Sequence, residues 1–496
     1  MDKELVSTSA PDHEVVDTEL NNDLVPLIVD LDGTLVSTDT LWESFLRLCH
    51  IKPWMLLLLP VWLIQGGRAK LKAEISNQVS IDVVTLPYRH DVIDKIIEAR
   101  KNSRLTILAT AANQDIANNV AEHLGIFDNV IASTHDNNLK AEKKLTAIQD
   151  YLGNKPFDYI GDSKADMPVW NVARKAFIVS PSKTLKKSCA SLHDSQYIGE
   201  SNKVTFKILL RAIRLHQWAK NLLLFIPLIL SQRYLNIDSV TVSSISFLVF
   251  GLCASSTYLW NDLLDLPTDR QHETKKNRPL AAGDISIVTG IIVSFFLMLV
   301  AFLISVIFLP SLFTVMLLGY IALTVSYTFY FKRQLMTDVI MLGGLYAYRI
   351  LIGAVAIDVM ISPWLFAFSI FFFLSLAFVK RFTDLNNLPR NVEGKVGGRA
   401  YYAGDLDMVR SLGTSASYIS VLIMALYVNS PTVINLYPRP GWLWLLCIIF
   451  LYWLSRIWFL AERNQMPDDP VLFAVKDKIS YLVGISVLAI LLIASF

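Results

Sequence analysis

Two sets of carboxylates in this chain have the spacing to do phosphate chemistry. Asp30 and Asp32 stand in IVDLDGTLVSTD, at the end of an apolar run, and Asp162 and Asp166 stand in YIGDSKADMPVW. Carboxylates at i and i+2 on a strand share a face, so one can attack while the other hydrogen-bonds the leaving group. Gly33 lets the chain turn there with φ > 0. Thr110 ends the run LTILATAAN, where its hydroxyl can hold a phosphoryl oxygen. Lys140, Lys143 and Lys144 in NLKAEKK can neutralise a phosphate or the nucleophile. Carboxylates converging on one loop edge beside a lysine make a site for Mg²⁺ and phosphate. The second set is Asn261, Asp262, Asp265 and Asp269 in YLWNDLLDLPTDRQHETKKNRPLAAG. At ~100° per residue, Asp262 and Asp269 lie nearly in line on a helix, with Asp265 about 60° away. A hydrated loop is the plainer reading. It does not account for carboxylates that face one another, nor for Arg270, Lys275, Lys276 and Arg278 directly behind them. Carboxylates holding Mg²⁺ and flanked by cations make a diphosphate site.

Further polar groups interrupt apolar stretches. They are Tyr327, Lys332 and Asp338 in YTFYFKRQLMTD, Lys380, Arg381 and Asp384 in FVKRFTDL, and Arg214, Trp218, Lys220 and Asn221 in RLHQWAKN. Arg349 lies inside an apolar run, where an ionisable side chain is costly and usually functional. Lys332 and Arg333 read equally well as anchors at a membrane surface.

The elements that must position these groups differ between the two halves of the chain. Of 496 residues 53% are hydrophobic and 18% charged, and the mean hydropathy is +0.44. That combination points to a polytopic membrane protein and excludes a disordered or fibrous chain. A net charge of +2 gives no case for a nucleic-acid partner. Cys49, Cys189, Cys253 and Cys447 form no CxxC pair, and the eight histidines form no HxH or HExxH cluster. Residues 1–24 are polar and acidic and read as a loose tail without a signal peptide. Residues 25–200 alternate apolar strands with helical stretches, which predicts a parallel sheet covered on both faces, with its reactive groups at the C-terminal strand ends. The run Trp54–Ile64, WMLLLLPVWLI, is too short to span a bilayer and is either a buried helix or an interfacial one.

From Lys203 onward nine apolar stretches follow, at roughly 221–235, 240–260, 286–309, 311–331, 337–357, 363–379, 412–431, 441–460 and 478–496. Each is close to the length that crosses ~30 Å of hydrocarbon, the first being the weakest. Basic residues collect in alternate loops. Lys207, Arg211, Arg214 and Lys220 precede the first stretch, and Arg270 to Arg278 follow the second. Lys332 and Arg333 follow the fourth. Lys380, Arg381, Arg390, Lys395, Arg399 and Arg410 follow the sixth, and Arg463, Lys476 and Lys478 follow the eighth. The other loops carry at most Arg233 or Arg439. This places the N-terminal half in the cytoplasm and the C-terminus outside an inner membrane. All the polar clusters except Arg349 then lie at cytoplasmic ends of spans, around one cavity.

The first half, over about residues 25–185, resembles the haloacid-dehalogenase (HAD) superfamily of phosphohydrolases through its DxDGT and GDxxxD motifs. The resemblance implies an α/β Rossmannoid domain with a helical cap near residues 40–100. It makes Asp30 the nucleophile, Asp32 the general acid/base, Thr110 the phosphate-binding hydroxyl and Lys144 the motif lysine, with Lys140 the fallback. Asp30, Asp32, Asp162 and Asp166 surround Mg²⁺. Residues 205–496 resemble the UbiA superfamily of intramembrane prenyltransferases through NDxxDxxxD among nine all-helical spans. RLHQWAKN, the segment from Asn261 to Gly283 and the FVKRxxDL pattern look like the branch typified by decaprenyl-phosphate phosphoribosyltransferase. Asp384 departs from that branch, where Glu is expected. A second DxxxD motif of ring-prenylating members is not matched.

The resemblance implies Mg²⁺ on Asp262, Asp265 and Asp269. It implies that Lys220, Asn261, Arg278, Tyr327, Lys332, Asp338, Arg349, Lys380, Arg381 and Asp384 hold phosphoribosyl diphosphate (PRPP) and a polyprenyl phosphate. The expected sequence of reactions is phosphoribose transfer followed by removal of the 5-phosphate by the first domain. Three other readings stay open: a ring prenyltransferase with an unrelated phosphatase, a transporter or lipid-binding protein, and a transferase whose first domain is a regulator or scaffold.

Overall fold

A computed structural model describes residues 25–134, 137–153, 155–179, 182–192, 194–199, 205–387, 400–467 and 469–496. The expected tail 1–24 and the basic residues Arg390, Lys395 and Arg399 lie outside the described residues. The chain forms two compact units. One comprises residues 1–203 with 270–276 and 281–287, and the other residues 204–269, 277–280 and 288–496.

The first unit is built on six parallel strands: β1 (Leu27–Val29), β2 (Thr106–Asn113), β3 (Asn129–Ser133), β4 (Asp158–Gly161), β5 (Lys175–Val179) and β6 (Ser195–Ile198). Their order is β3-β2-β1-β4-β5-β6. Successive side chains alternate between the faces. Leu27, Val29, Leu108, Ile160, Phe177 and Val179 pack into one core, and Ile28, Ile107, Tyr159, Ala176 and Ile178 into the other. Both faces are apolar, so helices must cover both. Register then fixes the site. Val29 pairs with Leu108 on one side and with Ile160 on the other. The chain therefore leaves the sheet at Asp30 and Asp162, and Thr110 stands on β2 two residues past Leu108, at the level of that edge.

Between β1 and β2 the chain makes a helical insertion. It runs through Thr40–Ile51, the 3₁₀ turn Pro53–Leu58 and the helix Leu59–Gln78, and Leu48, Trp62, Ile75 and Val79 form a core of its own. The helix His90–Lys101 instead packs Val92, Ile96 and Ala99 on the sheet.

In the second unit, eight described helices are long and apolar enough to cross a membrane: Ile237–Leu264, Ile287–Phe308, Ser311–Arg333, Thr337–Ala356, Pro363–Asn386, Ala403–Val428, Pro440–Glu462 and Lys478–Ser495. The first expected stretch is a shorter apolar helix, Leu215–Leu230. It opens as a 3₁₀ helix over Leu215–Phe225 and continues as α over Ile226–Leu230. Small hydroxyl residues stitch the helices together, because hydrocarbon offers no other partner. Ser256 meets Ser294 at 2.9 Å, Ser305 meets Thr314 at 2.7 Å, and Trp458 Nε1 donates to Ser417 at 3.0 Å.

Candidate active sites

At the sheet edge Asp30 is buried, and its Oδ1 accepts from the Leu31 amide at 2.9 Å and from Lys144 Nζ at 2.9 Å. Lys144 also donates to Tyr159 Oη at 2.9 Å and to Asp166 Oδ1 at 3.2 Å. This selects among the three lysines, because Lys140 and Lys143 are exposed whereas Lys144 is buried. Asp166 is held further by Tyr159 Oη at 2.8 Å and by the Ser163 amide and hydroxyl. One carboxylate oxygen from each of Asp30, Asp162 and Asp166 lies within 4.8 Å of the others. That all-oxygen set beside a lysine fits a hard divalent cation. Gly33 is required at this edge. Its φ is +77°, and a Cβ on it would fall 2.2 Å from Asp162 Oδ2. Asp32 lies outside the trio, and its Oδ1 accepts the Thr40 amide at 2.8 Å. Thr110 Oγ1 accepts the Ala112 amide at 3.0 Å, which leaves its O–H to donate.

Burial pushes the Asp30 carboxyl up to about 6, with Lys144 opposing the rise. Burial and then the Asp39 charge push Asp32 to about 7. Burial, followed by the charges of Asp30 and Asp166, pushes Asp162 to about 8. Ordinary Asp titrates near 3.8. The folded site therefore keeps protons that the unfolded chain has already lost. The stability from those protons is complete below the unfolded value and is lost as pH rises through about 6 to 8. A bound cation offsets that loss. The rise in unfolding temperature caused by Mg²⁺ is therefore expected to grow between about pH 5.5 and about pH 8.5. Differential scanning of the full chain checks this, and a shift independent of pH contradicts it.

In the helical unit, Asp262 and Asp269 are buried, while Asp265 is partly exposed. Arg214 grips the Asp262 carboxylate from both oxygens. Arg278 Nη1 lies between Asp262 Oδ1, at 3.0 Å, and Asp269 Oδ2. One cationic nitrogen thus occupies a position between two carboxylates that a divalent cation would also suit. Asp265 turns away to Lys332 at 3.3 Å. Asn261 Oδ1 accepts from Thr328 at 2.8 Å.

Other polar residues of the unit gather in two further groups. Lys220 is buried and paired with Asp469. Next to it, Asn221 Oδ1 accepts from Arg349 Nε at 3.3 Å, and Arg349 also donates to the Leu345 carbonyl and to Tyr320 Oη. The Arg349 guanidinium sits 5.3–5.5 Å from the Phe250, Tyr320 and Tyr346 ring centres. Arg349 therefore stands with Lys220 and Asn221. Burial alone would raise the Asp469 carboxyl, but Lys220 and Lys380 outweigh it and hold it below its usual range. A third group joins Asp338, Arg381 and Asp384. Arg381 reaches both carboxylates at 2.7 Å, Tyr401 donates to Asp338 at 2.7 Å, and Tyr327 faces Arg381.

Asp469 could not be picked out from the sequence. It lies in NQMPDDP, far from any motif, and only folding brings it to Lys220. Arg214 lies in RLHQWAKN, 48 residues before Asp262, and spacing carries no signal of their pairing. Replacing Asp469 with Asn leaves Lys220 buried without the carboxylate it pairs with. The expected cost is about 3 kcal/mol, measured by unfolding in SDS titration. A change below about 1 kcal/mol contradicts the pairing.

Comparison with known proteins agrees with this division. Residues 223–477 match the UbiA prenyltransferase family model, and residues 27–170 match the haloacid dehalogenase-like hydrolase model. The chain is 36% identical to uncharacterized protein y4nM of Sinorhizobium fredii, over 95% of this chain and 91% of that one. It is 32% identical to nodulation protein NoeC of Azorhizobium caulinodans, over 55% of this chain and 89% of that one. It is 33% identical to decaprenyl-phosphate phosphoribosyltransferase of Mycobacterium tuberculosis, over 36% of this chain and 61% of that one.

Proposed function

From a chain that belongs to the UbiA prenyltransferase family and carries an N-terminal HAD hydrolase domain, a multi-pass membrane transferase joined to a phosphatase, we infer a two-step enzyme. The first step transfers 5-phosphoribose from PRPP to a polyprenyl phosphate. The second removes the 5-phosphate to give polyprenyl-phosphoryl-ribose.

One observation carries the lipid assignment. A cavity of about 630 Å³ in the helical unit is lined almost wholly by apolar side chains, among them Leu365, Phe368 and Trp453. Three more of its residues, Leu222, Ile350 and Val471, stand one or two positions from Lys220, Arg349 and Asp469. Cations that would hold a phosphate therefore adjoin space suited to its hydrocarbon tail. The name of the mycobacterial relative supports PRPP as the sugar donor.

Mg²⁺ would be held by Asp262 and Asp269, with Asp265 from the next turn, and would neutralise the departing diphosphate. Arg278 and Arg214, now on those carboxylates, would turn toward diphosphate oxygens, and Lys332 would follow from Asp265. Lys380, Arg381 and Tyr327 would take the sugar 5-phosphate, with Asp338 and Asp384 orienting Arg381. The anomeric C–O bond breaks with its electron pair going to diphosphate. A phosphate oxygen of the polyprenyl phosphate, steered by Lys220 and Arg349, forms the new bond. That oxygen is already anionic, so no general base is needed.

In the hydrolase, Asp30 attacks phosphorus, and the ribose 5-oxygen leaves with a proton from Asp32. A carboxyl pushed up to about 7 is able to give that proton and then take one from the water that attacks the aspartyl phosphorus, breaking the bond to Asp30 and releasing inorganic phosphate. Lys144 neutralises Asp30 and the phosphoryl group, and Thr110 donates to a phosphoryl oxygen. Mg²⁺ would be held by Asp30, Asp162 and Asp166.

We also assign nine membrane crossings, a cap near residues 40–100, a cytoplasmic hydrolase and an outward C-terminus in an inner membrane. For the first crossing, Leu215–Leu230 is short in residues but long in space. At ~2.0 Å per 3₁₀ residue and ~1.5 Å per α residue it extends to ~30 Å. Purified protein supplied with PRPP, Mg²⁺ and a polyprenyl phosphate tests the reading. Release of diphosphate followed by inorganic phosphate supports it, and release of neither overturns it.

A further inference from the structure

The insertion that follows Asp32 exposes an apolar face that neither catalytic site uses. Within it, Met55, Leu59 and Trp62 turn inward onto Leu48, Ile75 and Val79. The opposite side carries Trp54, Leu57, Leu58, Val61 and Ile64, at positions three or four apart, so they line one helical stripe. They are exposed to 66%, 81%, 41%, 43% and 86%. An ordinary surface helix turns polar residues outward, and this one is apolar on both sides. A stripe of this kind marks an interaction surface.

Two observations indicate the partner. Between Glu43 and Glu74 the chain has no carboxylate and five cations, Arg47, Lys52, Arg68, Lys70 and Lys72. An apolar stripe flanked only by positive charge, with tryptophan at its start, suits an anionic bilayer surface. The chain also ties this unit to a membrane. Seven residues of sequence separate β6 from the helix Phe206–Ala212, with which the membrane unit begins.

We propose that the segment Pro53–Gly67 lies in the headgroup region of an anionic bilayer, with Trp54, Leu57, Leu58, Val61 and Ile64 toward the acyl chains. Its far end bears on catalysis. After the break at Gly67, where φ is +61°, the same helix continues to Lys72, whose Nζ donates to the Ala111 carbonyl at 3.0 Å. Ala111 follows Thr110 at the phosphate-binding edge. The insertion thus links a bilayer-seated arm to the hydrolase edge, and the class of substrate this favours is a phosphomonoester borne on a lipid. The seating in the bilayer does not depend on the phosphoribose reading. The substrate preference rests on it in part.

The test uses the full chain in nanodiscs containing anionic lipid, carrying Cys447→Ser and a single new cysteine, Leu57→Cys or Ile64→Cys, labelled with an NBD fluorophore. Glu122→Cys, on the exposed side of the helix Gln114–Leu124, is the control. Acyl-chain spin labels are expected to quench positions 57 and 64 at least threefold more than position 122, and aqueous iodide is expected to quench them less. Equal quenching by both probes at all three positions overturns the proposal. So does protection that appears only when polyprenyl phosphate is added, which would assign the stripe to the substrate tail. Protection that depends on the number of protein copies per disc would assign it to a second chain and also overturns it. A second variant, Leu57→Ser with Ile64→Ser, is expected to slow hydrolysis of a bilayer-borne phosphomonoester at least tenfold and leave p-nitrophenyl phosphate hydrolysis unchanged. Equal loss on both substrates, or none on either, removes the link to substrate choice while the quenching result stands by itself.

Discussion

Replacing Asp30 with Asn is expected to cut inorganic phosphate release by roughly 10³-fold or more, with diphosphate release from PRPP retained. Asn keeps the shape and can still accept the Leu31 amide that Asp30 accepts at 2.9 Å. It lacks the anionic oxygen that would attack phosphorus. It also removes the charge that Lys144 neutralises at 2.9 Å, so the lysine is left with Asp166. The lipid product should then accumulate with its 5-phosphate in place. Retained phosphate release in this variant, measured against wild type in the same lipid, would mean that the first domain does not act through Asp30.

Replacing Asp262 with Asn is expected to reduce diphosphate release by roughly 10²–10³-fold. Asp262 is buried and meets Arg214 and Arg278 together. Without its charge, Arg214 loses the carboxylate it grips and Arg278 keeps Asp269, so the position between the two side chains no longer suits a divalent cation. Hydrolysis of supplied polyprenyl-phosphoryl-5-phosphoribose should be unchanged. Asp265→Asn is expected to cost less, because Asp265 is partly exposed and pairs with Lys332 at 3.3 Å. Initial rates of diphosphate release for the two variants rank them. An Asp265 effect larger than the Asp262 effect would contradict this account of the site.

What the sequence made legible followed from local rules. Asp30, Thr110 and Asp162 each end an apolar run. Short apolar runs bounded by turns and alternating with helical stretches suit buried parallel strands, so the edge at Asp30 and Asp162 was foreseeable, whereas β2 runs on past Thr110 to Asn113. Lys144 was preferred over Lys140 by resemblance alone; the helix Glu142–Leu152 then supplied what periodicity does not carry, the contacts of Lys144 with Asp30 and Tyr159. In the helical unit the eight long spans were readable from length and hydropathy. The stretch at 221–235 was harder. Its helix begins earlier, at Leu215, and is largely 3₁₀, a difference in backbone winding that composition does not encode. The carboxylates of NDLLDLPTD were expected to converge. Asp262 and Asp269 do so through Arg278, whereas Asp265 sits where the long helix Ile237–Leu264 ends and turns to Lys332. Arg349 looked isolated in the sequence because its partners, Asn221 and Tyr320, lie on other helices. Ion pairs across more than a hundred residues, such as Lys220 with Asp469, exist only in the folded chain.

On the proposed function, one chain makes a phosphoribosylated lipid and then dephosphorylates it. The most direct measurement is the mass of the lipid product formed from PRPP and a polyprenyl phosphate by wild type and by Asp30→Asn. The account predicts polyprenyl-phosphoryl-ribose from wild type and polyprenyl-phosphoryl-5-phosphoribose from the variant. No ribosylated lipid from either protein, with diphosphate released instead from a prenyl diphosphate and a phenolic acceptor, would contradict it.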